Sequence, residues 1–192
     1  FTLFTKPIAR TCGEFANAVR RSRGIDSLFK EVLGTEIKRT EIRPPGAIAE
    51  SEFLKKCTHC RECANACPHE IILFIEHDHE PLKAGTPLID PYEDPCQFCE
   101  GMPCIEACEP NALVLEGAPP MGVVEFHKEH CLVAQGQRCD YCYRHCPSGV
   151  KAIRAGDDGM PIINSEECVG CGKCVYYCTS QSGKALTLEN VD

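Results

Sequence analysis

The chain has 192 residues, a formal net charge of −8, no tryptophan and 17 cysteines. Cysteine makes up about 9% of the chain, a frequency at which cysteine chemistry decides the architecture. The acidic charge argues against nucleic acid as a partner, because the phosphates would be repelled. The longest apolar run, residues 71–75, is far shorter than the ~20 residues that a membrane-spanning helix needs.

Residues 1–43 form a basic N-terminal arm that precedes an acidic body. The arm holds nine Lys and Arg against five Asp and Glu, whereas residues 44–192 hold 11 against 23. Apolar residues recur at helical spacing from Ile25 to Leu33, which predicts a short amphipathic helix. The charge difference is typical of a docking segment, and a solvated face without a partner would explain it equally well. Cys12 has no cysteine nearby, so a small buried hydrophobic role is favoured over metal binding.

The other cysteines form four groups of four, which we call quartets, and each quartet ends in Cys-x3-Cys. The quartets are Cys57-x2-Cys60-x2-Cys63-x3-Cys67, Cys96-x2-Cys99-x4-Cys104-x3-Cys108, Cys131-x7-Cys139-x2-Cys142-x3-Cys146 and Cys168-x2-Cys171-x2-Cys174-x3-Cys178. The first and fourth quartets match the C-x2-C-x2-C-x3-C run of bacterial [4Fe–4S] ferredoxins. The second and third quartets contain one longer gap each, of four and seven residues.

This spacing suits a cubane cluster, which needs four thiolates at the corners of a tetrahedron. A tight loop supplies three of them, and in two-cluster ferredoxins the last cysteine reaches across to the other cluster. A disulfide scaffold is less favoured because cysteines three apart pair poorly. Structural zinc usually uses two separated C-x2-C knuckles, and inert buried thiols are the least favoured explanation. We therefore predict four [4Fe–4S] clusters, with all sixteen quartet cysteines as iron ligands.

On these motifs the chain resembles the MauM/NapG family of ferredoxin-type proteins. The resemblance covers about residues 43–180, and the longer gaps fall in the same quartets as in that family. It includes Arg43-Pro44-Pro45-Gly46-Ala47-Ile48, Ala84-Gly85-Thr86-Pro87, Arg138-Cys139-Asp140-Tyr141-Cys142 and Gly170-Cys171-Gly172-Lys173-Cys174. The resemblance implies four [4Fe–4S] clusters and an electron-relay role.

Short strand patterns alternate with the quartets, so the predicted fold class is α+β with little regular secondary structure. The quartets are an internal repeat, so the body of residues 44–192 should form two ferredoxin-like modules of the bacterial dicluster type, preceded by the helical arm. The predicted strands are Glu70–Glu76, Ala112–Leu115, Gly122–Phe126, Ala152–Arg154, Pro161–Asn164 and Ala185–Leu188. Residues 77–95, rich in Pro, Asp and Gly, are predicted to form a loop.

The sequence leaves two ways to pair the quartets. The unusual gaps lie in the middle two, which favours a nested arrangement in which the inner quartets pair and the outer ones close around them. The nested ligand sets are Cys57, Cys60, Cys63 and Cys178; Cys168, Cys171, Cys174 and Cys67; Cys96, Cys99, Cys104 and Cys146; and Cys131, Cys139, Cys142 and Cys108. Tandem pairing, first with second and third with fourth, is the alternative.

These features predict an electron-transfer protein, not an enzyme in its own right. Single electrons would pass between a redox enzyme and a donor or acceptor such as a quinol-oxidising membrane protein or a ferredoxin. The enzyme partner would carry molybdenum, tungsten, flavin or haem, since no nucleotide-binding fingerprint appears in this chain. The alternative is an accessory or maturation factor for a metal-containing oxidoreductase.

The N-terminal region is where an export signal would indicate the cellular compartment of the protein. Family members of the NapG type usually carry a twin-arginine export signal, but Arg20-Arg21 is followed here by polar residues and glycine. Clusters are also assembled in the reducing cytoplasm, so we expect a cytoplasmic protein. A periplasmic location is the alternative, if an export signal has been removed or the partner is exported.

Overall fold

The computed structural model describes residues 42–76, 78, 83–147, 151–180 and 183–190. The predicted amphipathic helix and Cys12 lie outside the described residues, as does the N-terminal arm apart from Ile42 and Arg43. No helix in these described ranges is long and apolar enough to cross a membrane.

Regular secondary structure is sparse and consists of short elements. The helices of the described part are α1 (Glu50–Lys56), α2 (Glu62–Asn65), α3 (Pro103–Glu106), α4 (Tyr141–Arg144) and α5 (Lys173–Tyr176), and a 3-10 turn covers Lys128–His130. The strands are β1 (Leu73–Phe74), β2 (Pro87–Leu88), β3 (Val123–Phe126), β4 (Ile153–Ala155), β5 (Pro161–Ile163) and β6 (Leu186–Glu189). The prediction of low regular structure is therefore confirmed for this part of the chain.

The strands form three antiparallel two-stranded ribbons, β1–β2, β3–β6 and β4–β5. In the longest ribbon, Phe126 of β3 is opposite Leu186 of β6, and Val123 is opposite Glu189. This ribbon joins the segment before the third quartet to the segment after the fourth. Strands β3 to β6 each lie within one residue of their predicted bounds, so these four predictions are confirmed.

Three predictions for the part of the chain before β3 need correction. The predicted strand over residues 70–76 shrinks to β1, because Glu70 has a positive φ of 55° that is incompatible with extended backbone. The predicted loop over residues 77–95 contains β2, which pairs with β1.

The third correction concerns residues 112–115, which form an isolated bridge between Leu113 and Ala47 instead of a strand. Two hydrogen bonds flank that bridge, from Val114 N to Gly46 O and from Ile48 N to Ala112 O. The ladder stops there because Gly46 has a φ of +80° and the two prolines before it have no N–H to donate.

Cysteines share the core with aliphatic side chains. Ile89, Val175 and Leu188 are fully buried, and Cys96, Cys104, Cys171 and Cys174 are buried in the same continuous cluster. A second, smaller cluster is built around the fully buried Phe53, with Cys57, Cys63 and Cys108 packed against it. Cysteines of the second and fourth quartets are thus part of the protein core, and those of the first pack at its edge.

Arg43 explains why the Arg-Pro-Pro-Gly segment matters to the fold. Its guanidinium bonds both carboxylate oxygens of Glu50, at 2.9 and 2.5 Å, and lies 4.7 Å from the ring centroid of Phe53. It also donates to Thr86 Oγ1 at 2.9 Å and to the carbonyl of Pro87 at 2.8 Å. One side chain therefore ties the start of the body to α1 and to β2.

Replacing Arg43 with methionine should destabilise the protein by about 3 kcal/mol, because a partly buried Glu50 carboxylate loses its partner. The Arg43 and Glu50 side chains are 11% and 32% exposed. Lys55→Met is the matched control, since its pair with Glu52 is 69% and 54% exposed and should contribute less than about 1 kcal/mol. Anaerobic urea unfolding of both variants measures the difference, and equal midpoints would contradict the role given to Arg43.

Candidate metal centres

All sixteen quartet cysteines fall within the described residues, and all are free thiols. As free thiols they are available as metal ligands. What these thiols can bind depends on the loops that carry them and on the residues that surround them.

The loops of the first and fourth quartets share an unusual backbone. Residues on both sides of the second cysteine have left-handed φ angles: 59° at His59, 70° at Arg61, 68° at Gly170 and 78° at Gly172. The second quartet has the same feature at Phe98, directly before Cys99, with a φ of 53°. These angles turn the loop back on itself, so that its cysteines face a common interior.

The same loops aim backbone N–H groups at the first sulfur of each quartet. Phe98 N lies 3.4 Å from Cys96 Sγ. The equivalent N–H groups of His59 and Gly170 donate to Cys57 and Cys168. Such donors stabilise negative charge on sulfur, which is the charge state that a metal requires.

Site A combines the first three cysteines of the first quartet with the last cysteine of the second. Cys57, Cys60, Cys63 and Cys108 line one cavity. Burial raises the pKa of Cys63 to about 12, and repulsion from Cys57 and Cys108 adds to the rise. The thiols of Cys57, Cys63 and Cys108 are therefore close enough to interact electrostatically.

Site B is the reciprocal set. Cys67, Cys96, Cys99 and Cys104 line a second cavity. Burial raises the pKa of Cys104 to about 11, and repulsion from Cys67 is the next contribution. The last cysteine of each quartet thus serves the other quartet.

Site C repeats the pattern in the second half of the chain. Cys146, the last cysteine of the third quartet, lines a cavity with Cys168, Cys171 and Cys174. Burial raises the pKa of Cys171 to about 11, with repulsion from Cys168 and Cys146 adding to it. In sites A, B and C alike, three cysteines of one quartet are joined by the last cysteine of another.

Site D is formed by Cys131, Cys139 and Cys142. Burial raises the pKa of the Cys142 thiol to about 11, and the charges of Cys139 and Cys131 raise it further. The loop departs from the others because Asp140, which precedes α4, has a φ of −142° instead of a left-handed angle. The seven-residue gap in this quartet allows that different path.

These groupings show that the nested pairing is wrong. Cys108 lies with the first quartet and Cys67 with the second, which is the tandem arrangement. The physical reason is helix packing: α2 packs on α3, and α4 packs on α5. Each of these helices ends near the last cysteine of its quartet, so packing delivers that cysteine to the partner quartet.

The donor sets fit a polynuclear group better than single ions. Among the described residues, no three His, Cys, Asp or Glu side chains are placed to hold one metal ion. A tetrahedral zinc site would need four sulfurs at about 2.3 Å from one point. Here the thiols surround cavities instead, as the walls of a site for an iron–sulfur cube must do.

Lys184 is a residue near these sites that sequence reasoning missed. Its Nζ donates to the carbonyls of Cys178 at 2.8 Å, Val175 at 3.0 Å and Tyr176 at 3.4 Å. A cation at this position satisfies the free carbonyls at the end of α5. No motif marks it, because its partners lie six to nine residues earlier in the chain.

We expect Lys184→Met to weaken the end of α5 by about 2 kcal/mol, the value of hydrogen bonds from a charged donor. Amide hydrogen exchange around α5 and β6 should then accelerate about 30-fold. Lys128→Met, at an exposed lysine, is the control and should leave exchange there unchanged. Equal exchange in both variants would show that the Lys184 contacts carry no stability.

Two families of [4Fe–4S] domains match parts of the chain. A family described as "4Fe-4S dicluster domain" matches residues 123–179, which span the third and fourth quartets. A family described as "4Fe-4S binding domain" matches residues 53–73, around the first quartet.

Curated relatives cover most of the chain. Ferredoxin-type protein NapG of Escherichia coli (strain K12) is 36% identical over 190 residues, which are 91% of this chain and 79% of that protein. Methylamine utilization ferredoxin-type protein MauM of Paracoccus denitrificans (strain Pd 1222) is 37% identical over 150 residues, 71% of this chain and 66% of that protein. Ferredoxin-type protein NapF of Escherichia coli (strain K12) is 31% identical over 140 residues, 71% and 79% of the two chains. The chain therefore belongs to the NapG/MauM family of ferredoxin-type proteins, and it is an electron-transfer iron–sulfur protein with [4Fe–4S] domains.

Proposed function

We propose that this protein relays single electrons through four [4Fe–4S] clusters, one at each of sites A to D. The observation that carries the proposal is the exchange of last cysteines, which gives three described cavities four thiols each. Cys178 follows α5 as Cys146 follows α4, so the same exchange assigns it to site D as the fourth ligand. Bound there, the clusters would supply one-electron redox chemistry.

The chain's own residues hold and tune these groups. The sixteen thiols would bind iron as thiolates, although burial raises the pKa of Cys63 and Cys96 to about 12. Iron must therefore displace protons that the buried thiols would otherwise keep at neutral pH. The N–H donors from Phe98 and its equivalents then offset part of the negative charge on sulfur, which raises a cluster's reduction potential.

Iron analysis of the full chain, purified without air, tests the count. We expect about sixteen irons and sixteen sulfides per chain, and an electron paramagnetic resonance signal on reduction. Half that iron, or zinc in its place, would contradict the proposal.

The partner is proposed to be a redox protein with a basic surface. The sequence charge of −8 becomes about −16 when each oxidised cluster with its four thiolates adds about −2 to the protonated thiols it replaces. A molybdenum, tungsten, flavin or haem enzyme, or a quinol-oxidising membrane protein, would supply the other end of the transfer. Electron exchange with such a partner should slow as salt rises, since charge attraction is screened.

Membership of an oxidoreductase complex is part of the same proposal. A relay should copurify with its enzyme and be reduced within turnover, whereas a maturation factor should leave once the enzyme is active. Rapid reaction of the copurified complex with its reductant distinguishes the two. Reduction slower than turnover would favour the accessory role.

We propose a cytoplasmic location, supported by the sixteen thiols that must stay reduced until iron binds. Cell fractionation with the native protein tests this. Recovery from the periplasmic fraction would overturn it.

A further inference from the structure

We propose that the four sites form an unbranched relay in the order A–B–C–D, in which electrons cross between the two modules where the loop of Cys171 packs against the segment that leads to Cys96. This inference rests on the proposed function. It adds the order of transfer, which differs from the order of the quartets along the chain.

Within each module, short helices set the sites side by side. Helix α2 contains Cys63 of site A, and Cys67 of site B follows just after its end. Helix α3 contains Cys104 of site B, and Cys108 of site A follows just after its end. Four residues of helix rise about 6 Å, so the two sites are separated by about one turn. The same spacing along α4 separates Cys142 of site D from Cys146 of site C.

The two modules meet through sites B and C. Cys96 of site B and Cys171 of site C are both buried in one continuous hydrophobic cluster. Next to Cys171, Gly172 approaches Pro91 so closely that a Cβ on the glycine would lie 2.4 Å from the proline Cβ. The loop of site C is therefore packed against the segment that leads into site B.

Sites A and D are left at the two ends, and both reach the surface. Cys60 of site A is exposed. Cys139 of site D lines an open groove together with Tyr141, which is 43% exposed. Exchange with other proteins should therefore occur at A and D. Each crossing oxidises one site by one electron and reduces its neighbour by one, without making or breaking a bond.

Magnetic coupling between reduced clusters tests the order. Cys60→Ala with Cys139→Ala should leave the B and C clusters, and Cys99→Ala with Cys168→Ala should leave A and D. Each variant should retain about eight irons per chain. On full reduction, the electron paramagnetic resonance lines of the variant that keeps B and C should be broadened by coupling between the two clusters. The variant that keeps A and D should give the sum of two uncoupled spectra.

Coupling in the A and D variant, or none in the B and C variant, would overturn the order. Where a variant does not fold, Cys57→Ala with Cys131→Ala, or Cys67→Ala with Cys146→Ala, removes the same sites through other ligands. If the unaltered chain holds about sixteen irons but the B and C clusters are uncoupled, this inference is rejected and the proposed function is not. A low iron count there would reject the proposed function.

Discussion

Replacing Cys108 with alanine is expected to affect the same cluster as replacing Cys57, although Cys108 belongs to a different quartet. Both side chains line site A. Each variant should lose about four of sixteen irons, and the same component should disappear from the resonance spectrum of the reduced protein. Cys131→Ala should remove a different component, because Cys131 interacts with Cys142 in site D.

Cys12→Ala is the matched control, since this cysteine belongs to no quartet and should leave the iron content unchanged. The nested arrangement makes the opposite prediction, in which Cys108 and Cys131 variants lose the same component. A spectrum of that kind would show that the tandem grouping is wrong.

Gly170→Ala is expected to destabilise the protein by about 4 kcal/mol and to empty site C. A Cβ at Gly170 would lie 2.2 Å from the nitrogen and 2.3 Å from the oxygen of Gly122, and backbone atoms cannot move aside cheaply. The φ of +68° adds strain for any residue with a Cβ. The loop must then leave β3, and it carries Cys168 and Cys171 with it.

Gly117→Ala separates the two causes. Gly117 has a φ of +77°, but nothing lies within 4 Å of a Cβ built there. It should therefore cost about 1 kcal/mol of backbone strain and leave the iron content unchanged. Anaerobic urea unfolding and iron analysis compare the two, and equal losses would mean that the contact with Gly122 is unimportant.

The second half of the fold was predictable because local signals agree with the pairing there. Strands β3 and β6 are short apolar segments bounded by turn residues. They have the same length and pair with each other along all of it. The Asp157-Asp158-Gly159 turn likewise places β4 beside β5. Around residues 112–115 the local signal was similar, but the partner segment contains Pro44, Pro45 and a left-handed Gly46 that end the ladder.

The spacing predicts which cysteines are ligands, but it does not determine which quartets pair. The spacing fixes only that the last cysteine sits one turn beyond the third. Which sulfurs it joins depends on whether α2 packs on α3 or on another helix, and that is a tertiary contact. The unusual gaps favour the nested arrangement, yet the gap in the third quartet accompanies only a local change of loop path at Asp140.

The exchange of cysteines between quartets also sets a constraint on synthesis. Cys57, Cys60 and Cys63 leave the ribosome well before Cys108, which completes their site. The nascent chain must therefore carry three unliganded thiols while the second quartet is translated. Cluster insertion then becomes a step that follows translation of a whole module, so a chain truncated between the two quartets would have no complete site to fill.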